Sequence, residues 1–206
     1  KLDSKILCIP AKILFQKGKW DGLKRDDLDH YYQLLLSHSE FRIREELEHD
    51  PQFKQIIPQV VFKHQDSYFL HRQVAANETR LNSLCPLPIG GHVEEFDQKI
   101  VGQDIIQAAL DREVDEEVFL ETEVTKRTFL GIIYLEDENP VNHVHVGIAY
   151  IFEVKNPNIR IKEEGLEDVG WVSANYLNEN IDSLTYWSKV ILKEHINNSF
   201  TVAPNQ

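Results

Sequence analysis

Glu113, Glu116 and Glu117 are the residues of this chain whose type and spacing suggest chemistry. They stand in an amphipathic stretch that predicts a helix from about Asp104 to Val118. An α-helix advances about 100° per residue, so positions i, i+3 and i+4 share a face. Three carboxylates pointing the same way repel one another unless a cation sits among them. Hard oxygen donors with few protein groups suit Mg²⁺, which keeps several waters and bridges to phosphates. Leu110, Val114 and Val118 fall to one side and would bury. Arg112 adjoins the cluster and can reach Glu116 at i+4. Upstream, Gly90-Gly91 closes an apolar run punctuated by proline, and glycine lets backbone approach a ligand closely. Three glutamates alone describe a solvated helix face more readily than a site, because surface helices are rich in Glu. The double glycine and Arg112 tilt the reading toward a site.

Gly91, the run Arg112-Glu113-Val114-Asp115-Glu116-Glu117 and Leu120 together resemble the Nudix box, G-x5-E-x7-R-E-U-x-E-E-x-G-U, where U is bulky and aliphatic. Glu94 fits the G-G-x-x-E start that many members show. Asp104, eight residues before Arg112, stands where the family has its first Glu, a side chain expected to buttress Arg112 and the helix. Two departures are visible. Asp104 lies thirteen residues after Gly91 where the pattern has six, which places seven extra residues around Glu95 to Val101. Phe119 replaces the late glycine, which bears on the geometry after the helix and leaves the carboxylates untouched.

The resemblance implies an α/β (α+β) fold, the Nudix α/β/α sandwich with a mixed sheet, over residues 56–197. It implies an enzyme that hydrolyses a nucleoside diphosphate linked to another group by water attack on phosphorus. Glu113, Glu116 and Glu117 would hold Mg²⁺ or Mn²⁺, with Arg112 orienting the glutamates. One of the three, or a late glutamate, would take the proton. Glu163, Glu164 and Glu167 are the late candidates, and Glu164 is favoured because Gly165 lets the loop turn toward the cleft. Gly90, Gly91, His92, Glu94 and Arg72 are the expected substrate-binding set. Family members often dimerise, so a homodimer is compatible.

The elements that must position these groups are read from pattern. Residues 5–15 read as one or two strands, 17–27 as a loop, 27–37 and 39–47 as helices. Together the first 55 or so residues form an α/β extension, in which Arg42 or Arg44 could reach substrate phosphates. Strands are expected over 55–61 and 67–74, a loop over Thr79–Ser83, and strands over 127–135, 143–154 and 168–172. Helices are expected over 173–180 and 182–197, with a frayed tail from 198 to 206. Within the strand from residue 143, His143 and His145 would share a face, a spacing that could ligate Zn²⁺, but no Cys or further His completes a set nearby.

A net charge of −12 argues against a nucleic-acid polymer as partner, while a small phosphorylated ligand remains compatible with a bound cation. No apolar run approaches the ~18–20 residues that span a bilayer. Two cysteines, Cys8 and Cys85, form no disulfide framework and read as core thiols of a reducing cytoplasm. Two other functions stay open. A Nudix-like module could sense a nucleotide without cleaving it, although such modules tend to lose the carboxylates kept here. An isoprenoid diphosphate isomerase of this fold would want a cleft cysteine, for which Cys85 is the candidate.

Overall fold

The structure, a computed structural model, describes residues 1–74 and 84–200. The loop expected over Thr79–Ser83 and the part of the tail beyond Phe200 lie outside the described residues. In chain order the elements are β1 (Lys5–Pro10), α1 (Ala11–Leu14), β2 (Gly22–Lys24), α2 (Leu28–His38), β3 (Glu40–Ile43) and α3 (Arg44–Leu47). Then come β4 (Phe53–His64), β5 (Ser67–Gln73), β6 (Ile89–Gly90), α4 (Ile105–Glu117), β7 (Val118–Leu120) and β8 (Val124–Tyr134). The last are β9 (His145–Val154), β10 (Ile159–Ile161), β11 (Leu166–Ser173), α5 (Ala174–Glu179) and α6 (Tyr186–Ile191). This is the mixed α and β architecture with a mixed sheet that the sequence predicts.

The chain forms two compact units: Lys1–Gln59, Gly90–Glu113 and Phe129–Tyr150 make the first, and Val60–Ile89, Val114–Thr128 and Ile151–Gln206 the second. The boundaries between the two fall within β4, β8 and β9.

In the first unit β1 pairs antiparallel with β3 and with the start of β4, and β2 pairs with the end of β8. Ile6, Leu7, Cys8 and Ile9 are all buried, so both faces of β1 are covered. Ile6 and Cys8 pack with Leu47 and Phe53. Phe15, Trp20, Tyr31 and Tyr134 make an aromatic cluster, and Trp20 Nε1 donates to the Ile132 carbonyl at 3.2 Å. The buried Lys54 ammonium donates to the carbonyls of Pro51 and His143 and lies over the Phe15 and Tyr134 rings. Helix α4 starts at a side-chain cap: Asp104 Oδ1 accepts from the backbone N–H of Ile106 and Gln107, both at 3.0 Å. Its apolar stripe, including Ile106, Ala109 and Leu110, is buried.

In the second unit β5 pairs antiparallel with β11 and with the end of β4, and β7 pairs with β10. Ser173 caps α5 by accepting from Tyr176 N at 3.1 Å. Buried Ile191, Leu192 and Ile196 continue one apolar face through α6 into a π-turn.

Several local expectations are corrected. Residues 11–14 are helical, not strand, because the chain turns at Pro10, where a ring fixes φ at a value suited to helix entry. The expected loop 17–27 contains β2, recruited by pairing with β8. The helix expected over 39–47 is β3 followed by the single turn α3, because Glu40–Ile43 supply the second edge of β1. β9 begins at His145, and His143 lies in a 3₁₀ turn, Asn142–Val144, so the two imidazoles do not share a strand face. His143 bonds the Asp137 carbonyl and His145 Nδ1 the Val141 carbonyl. No helix among the described residues is long and apolar enough to cross a membrane.

Candidate active site

Gly90 and Gly91 are constrained by their own chain. A Cβ on Gly90 would lie 2.1 Å from the Pro58 carbonyl oxygen and 2.7 Å from Gln59 Cα. A Cβ on Gly91 would lie 2.5 Å from the carboxyl carbon of Glu113. Gly91 therefore makes the room in which that carboxylate sits.

Arg112 is the hub of the candidate site residues in the first unit. Its Nη1 donates to Glu113 Oε1 at 2.6 Å and its Nη2 to the His92 carbonyl at 2.8 Å. Nε and Nη2 both reach Asp97, at 2.8 and 3.1 Å. Burial works against the guanidinium charge, but Asp97 and Glu113 overcome it and hold the pKa above its ordinary value. The Phe96 ring lies against the same guanidinium, 5.0 Å from its carbon.

Asp97 is the residue that sequence reasoning missed. Its side chain is 0% exposed, and it also accepts from Glu94 N at 2.8 Å while the Glu94 side chain accepts from Asp97 N. This reciprocal cap closes the 3₁₀ turn Glu95–Lys99. Asp97 is six residues after Gly91, where the box has its first Glu. The buttress of Arg112 is thus Asp97, and the seven extra residues follow it, from Gln98 to Asp104, instead of lying around Glu95 to Val101. Asp104 caps α4 and does not take the family glutamate's place. The spacing from Gly91 was the available signal. It lost to the spacing toward Arg112, and only the folded contact decides between them.

His92 Nε2 donates to Gln55 Oε1 at 2.7 Å, and the ring lies 5.9 Å from that of His145. Burial first, then Arg44 and His145, push its pKa down to about 3, so the imidazole is neutral at working pH. Glu94 is committed to its turn. Arg42 pairs with Glu40 and covers the Phe53 ring, and Arg44 pairs with Glu48 at 3.0 Å.

The second unit begins within α4, after Glu113. Glu116 is exposed and Glu117 half-buried on the last turn of that helix. The backbone N–H of Lys162 donates to the Glu117 carbonyl at 2.8 Å, and Lys162 Nζ to the Asp115 carbonyl at 2.9 Å. The late acidic loop is thereby tied to the C-terminal end of α4, where orphan carbonyls want donors. Glu163 and Glu164 are exposed beside Gly165, whose φ of +87° demands the glycine. Glu167 instead pairs with Arg72, its cross-strand partner, at 2.9 Å. Two candidates from different roles therefore hold each other. Phe119 needs no positive φ; it lies in β7 opposite Arg160. Cys85 is a buried free thiol whose backbone bonds Ser183 and Thr185.

Among the described residues no group of three or more His, Cys, Asp or Glu side chains is gathered as a metal cage. The donor chemistry nevertheless fits a hard divalent cation: the candidate ligands on α4 are all carboxylates, and Glu113 is braced by a fixed arginine.

No family model matches the chain. The protein YmaB of Bacillus subtilis (strain 168) is 30% identical over 202 residues, covering 93% of this chain and 97% of that protein. The crystal structure of Tm1382, described as a candidate Nudix hydrolase, is 26% identical, with a TM-score of 0.78 over 94% of this chain and 99% of that one. The fold is that of the Nudix hydrolases, the family whose box the sequence resembles.

Proposed function

We propose that this protein is a metal-dependent pyrophosphohydrolase that cleaves the diphosphate linkage of a small nucleoside diphosphate derivative. The observation that carries the reading is Glu113, seated against Gly91 and held at 2.6 Å by an arginine that Asp97 fixes from behind. Glu113, Glu116 and Glu117, which share one helix face at i, i+3 and i+4 within about one turn, are the proposed ligands of Mg²⁺ or Mn²⁺. The cation, when bound, would supply charge neutralisation of the diphosphate and a lowered pKa for a water placed to attack phosphorus. Arg112 orients Glu113 and does not itself meet substrate. Glu164, exposed on the loop tied to the end of α4, is the proposed base. His92, being neutral, can bind substrate but cannot serve as a charged acid. Gly90, Gly91 and Glu94 act by shaping the loop that carries these groups, and Arg72 by lining the edge beside β11. The two buried free thiols support the cytoplasmic reading, and a homodimer remains a proposal.

Phosphate release from a panel of nucleoside diphosphate derivatives, with Mg²⁺ or Mn²⁺ and with chelator, tests this. Metal-dependent turnover of one class establishes activity and substrate together. Metal bound without turnover of any compound replaces the enzyme reading with that of a nucleotide-sensing module.

A further inference from the structure

Tyr32 belongs to α2, in the N-terminal extension, and Asp104 ends the seven residues by which this box exceeds the family pattern. The structure joins these two departures. Tyr32 Oη lies 3.0 Å from both Asp104 Oδ1 and Oδ2, and Tyr150 Oη donates to it at 3.3 Å. Asp104 Oδ1 also accepts from the N–H of Ile106 and Gln107, and Oδ2 from Gln107 Nε2, each at 3.0 Å. One carboxylate therefore closes the first turn of α4 and is held from its other side by a phenol. The Tyr32 ring packs edge-on to Phe129 at 5.4 Å, and Phe129 stacks on Tyr150 at 5.2 Å, which fixes where the hydroxyl can point. Burial and Tyr150 raise the pKa of Tyr32, so the phenol remains a donor.

A helix is a stiff rod, and Glu113 stands about 10 Å along it from Ile106 at 1.5 Å per residue. A pivot at the first turn moves that carboxylate, which sits in the space that the absent Cβ of Gly91 leaves. We propose that Tyr32 is a positioning residue: through Asp104 it anchors the first turn of α4 to the N-terminal extension and so aims the carboxylates that hold the cation. The extension and the insertion then form one device for setting the box helix. This rests on the proposed function, in that the α4 carboxylates bind metal.

The test is Tyr32→Phe, which removes the hydroxyl and keeps the ring against Phe129. One lost hydrogen bond of about 1 kcal/mol corresponds to roughly fivefold in an equilibrium or a rate. The expected result is Mn²⁺ affinity and kcat each reduced about fivefold, with KM for the nucleotide changed less than twofold. Amide exchange at Ile106 and Gln107 quickens, while that of β5 and β11 is unchanged. In an Asp104→Asn background the same substitution adds nothing. Wild-type metal affinity and wild-type exchange in Tyr32→Phe overturn the proposal, as does an effect that adds in full to Asp104→Asn. If the wild-type protein binds no Mn²⁺ and turns nothing over, the functional reading fails by itself. Exchange at Ile106 and Gln107 then decides alone: faster exchange in Tyr32→Phe supports its hold on α4, and unchanged exchange overturns it.

Discussion

A methyl group added at Gly91 meets the far end of a flexible side chain, the Glu113 carboxylate, whereas one added at Gly90 meets the backbone of Pro58 and Gln59. The carboxylate can rotate away; the strand cannot. Gly91→Ala is expected to melt within about 2 °C of the wild type and to lose tenfold or more of its turnover, about 1.4 kcal/mol of barrier. Gly90→Ala is expected to lose about 1–3 kcal/mol of stability through overpacking. Thermal melts and turnover measured side by side check this, and equal melting of the two variants would refute it. The two aspartates of the box loop separate in the same way. Asp97→Ala leaves a mostly buried guanidinium short of its partner and is expected to cost about 3 kcal/mol in urea unfolding. Asp104→Ala removes a helix cap and is expected to cost about 1 kcal/mol. If the order is reversed, Asp104 and not Asp97 carries the burden of the box. Glu116→Gln and Glu117→Gln, on the outer part of the α4 face, should abolish metal-dependent turnover with circular dichroism unchanged. Retained turnover in both would remove the metal assignment.

The strand β7 stands where the family's late glycine normally ends the box, and Phe119 within it is 41% exposed. Arg160 and Lys162 lie over its ring at 5.0 and 5.4 Å, and Arg160 is also its partner in β10. Phe119→Gly restores the family residue but removes a strand-forming side chain and two cation–π contacts. It is expected to lower stability by about 1–2 kcal/mol in denaturant titration and to leave turnover unchanged. Lost turnover at unchanged stability would instead tie Phe119 to the site. Local pattern made α4, β4, β5 and β8 legible, because each carries a long apolar period of its own. β7 and β10 were not legible, being three residues each and existing only as a pair. β3 was misread as helix for the same reason: Glu40–Ile43 are extended because β1 offers an edge, a partner more than thirty residues away in sequence. At the candidate site, Arg112 beside Glu113 was legible from the sequence pattern, and the two side chains bond. Asp97 was not, since two aspartates each satisfied one side of the box pattern and the tertiary contact chose between them.

Each of the two units holds an imidazole that the surroundings keep neutral: His92, half-buried, in the first, with its pKa pushed down to about 3, and His71, buried, in the second, pushed down by burial to about 4. In the unfolded chain both ionise near 6.5. As pH falls below 6.5 the unfolded state takes up protons that the folded state refuses. The stability these groups contribute is therefore present above 6.5 and is lost as pH falls toward 4 and 3. The slope approaches about 1.4 kcal/mol per pH unit for each group. Net charge pulls the other way: a chain at −12 sheds self-repulsion when it is protonated, so acidification alone would favour the compact state. A fall in stability between pH 6.5 and 5, above the range where ordinary carboxylates titrate, is thus assigned to these histidines. Urea unfolding across that window is expected to show the decline. His92→Gln, which can still donate to Gln55, and His71→Gln are each expected to flatten it by about one proton's worth of slope, whatever they do to the absolute stability. A His92→Gln variant with the full wild-type slope would mean that His92 ionises in the folded protein as it does in the unfolded chain, and that it is a charged group in the site after all.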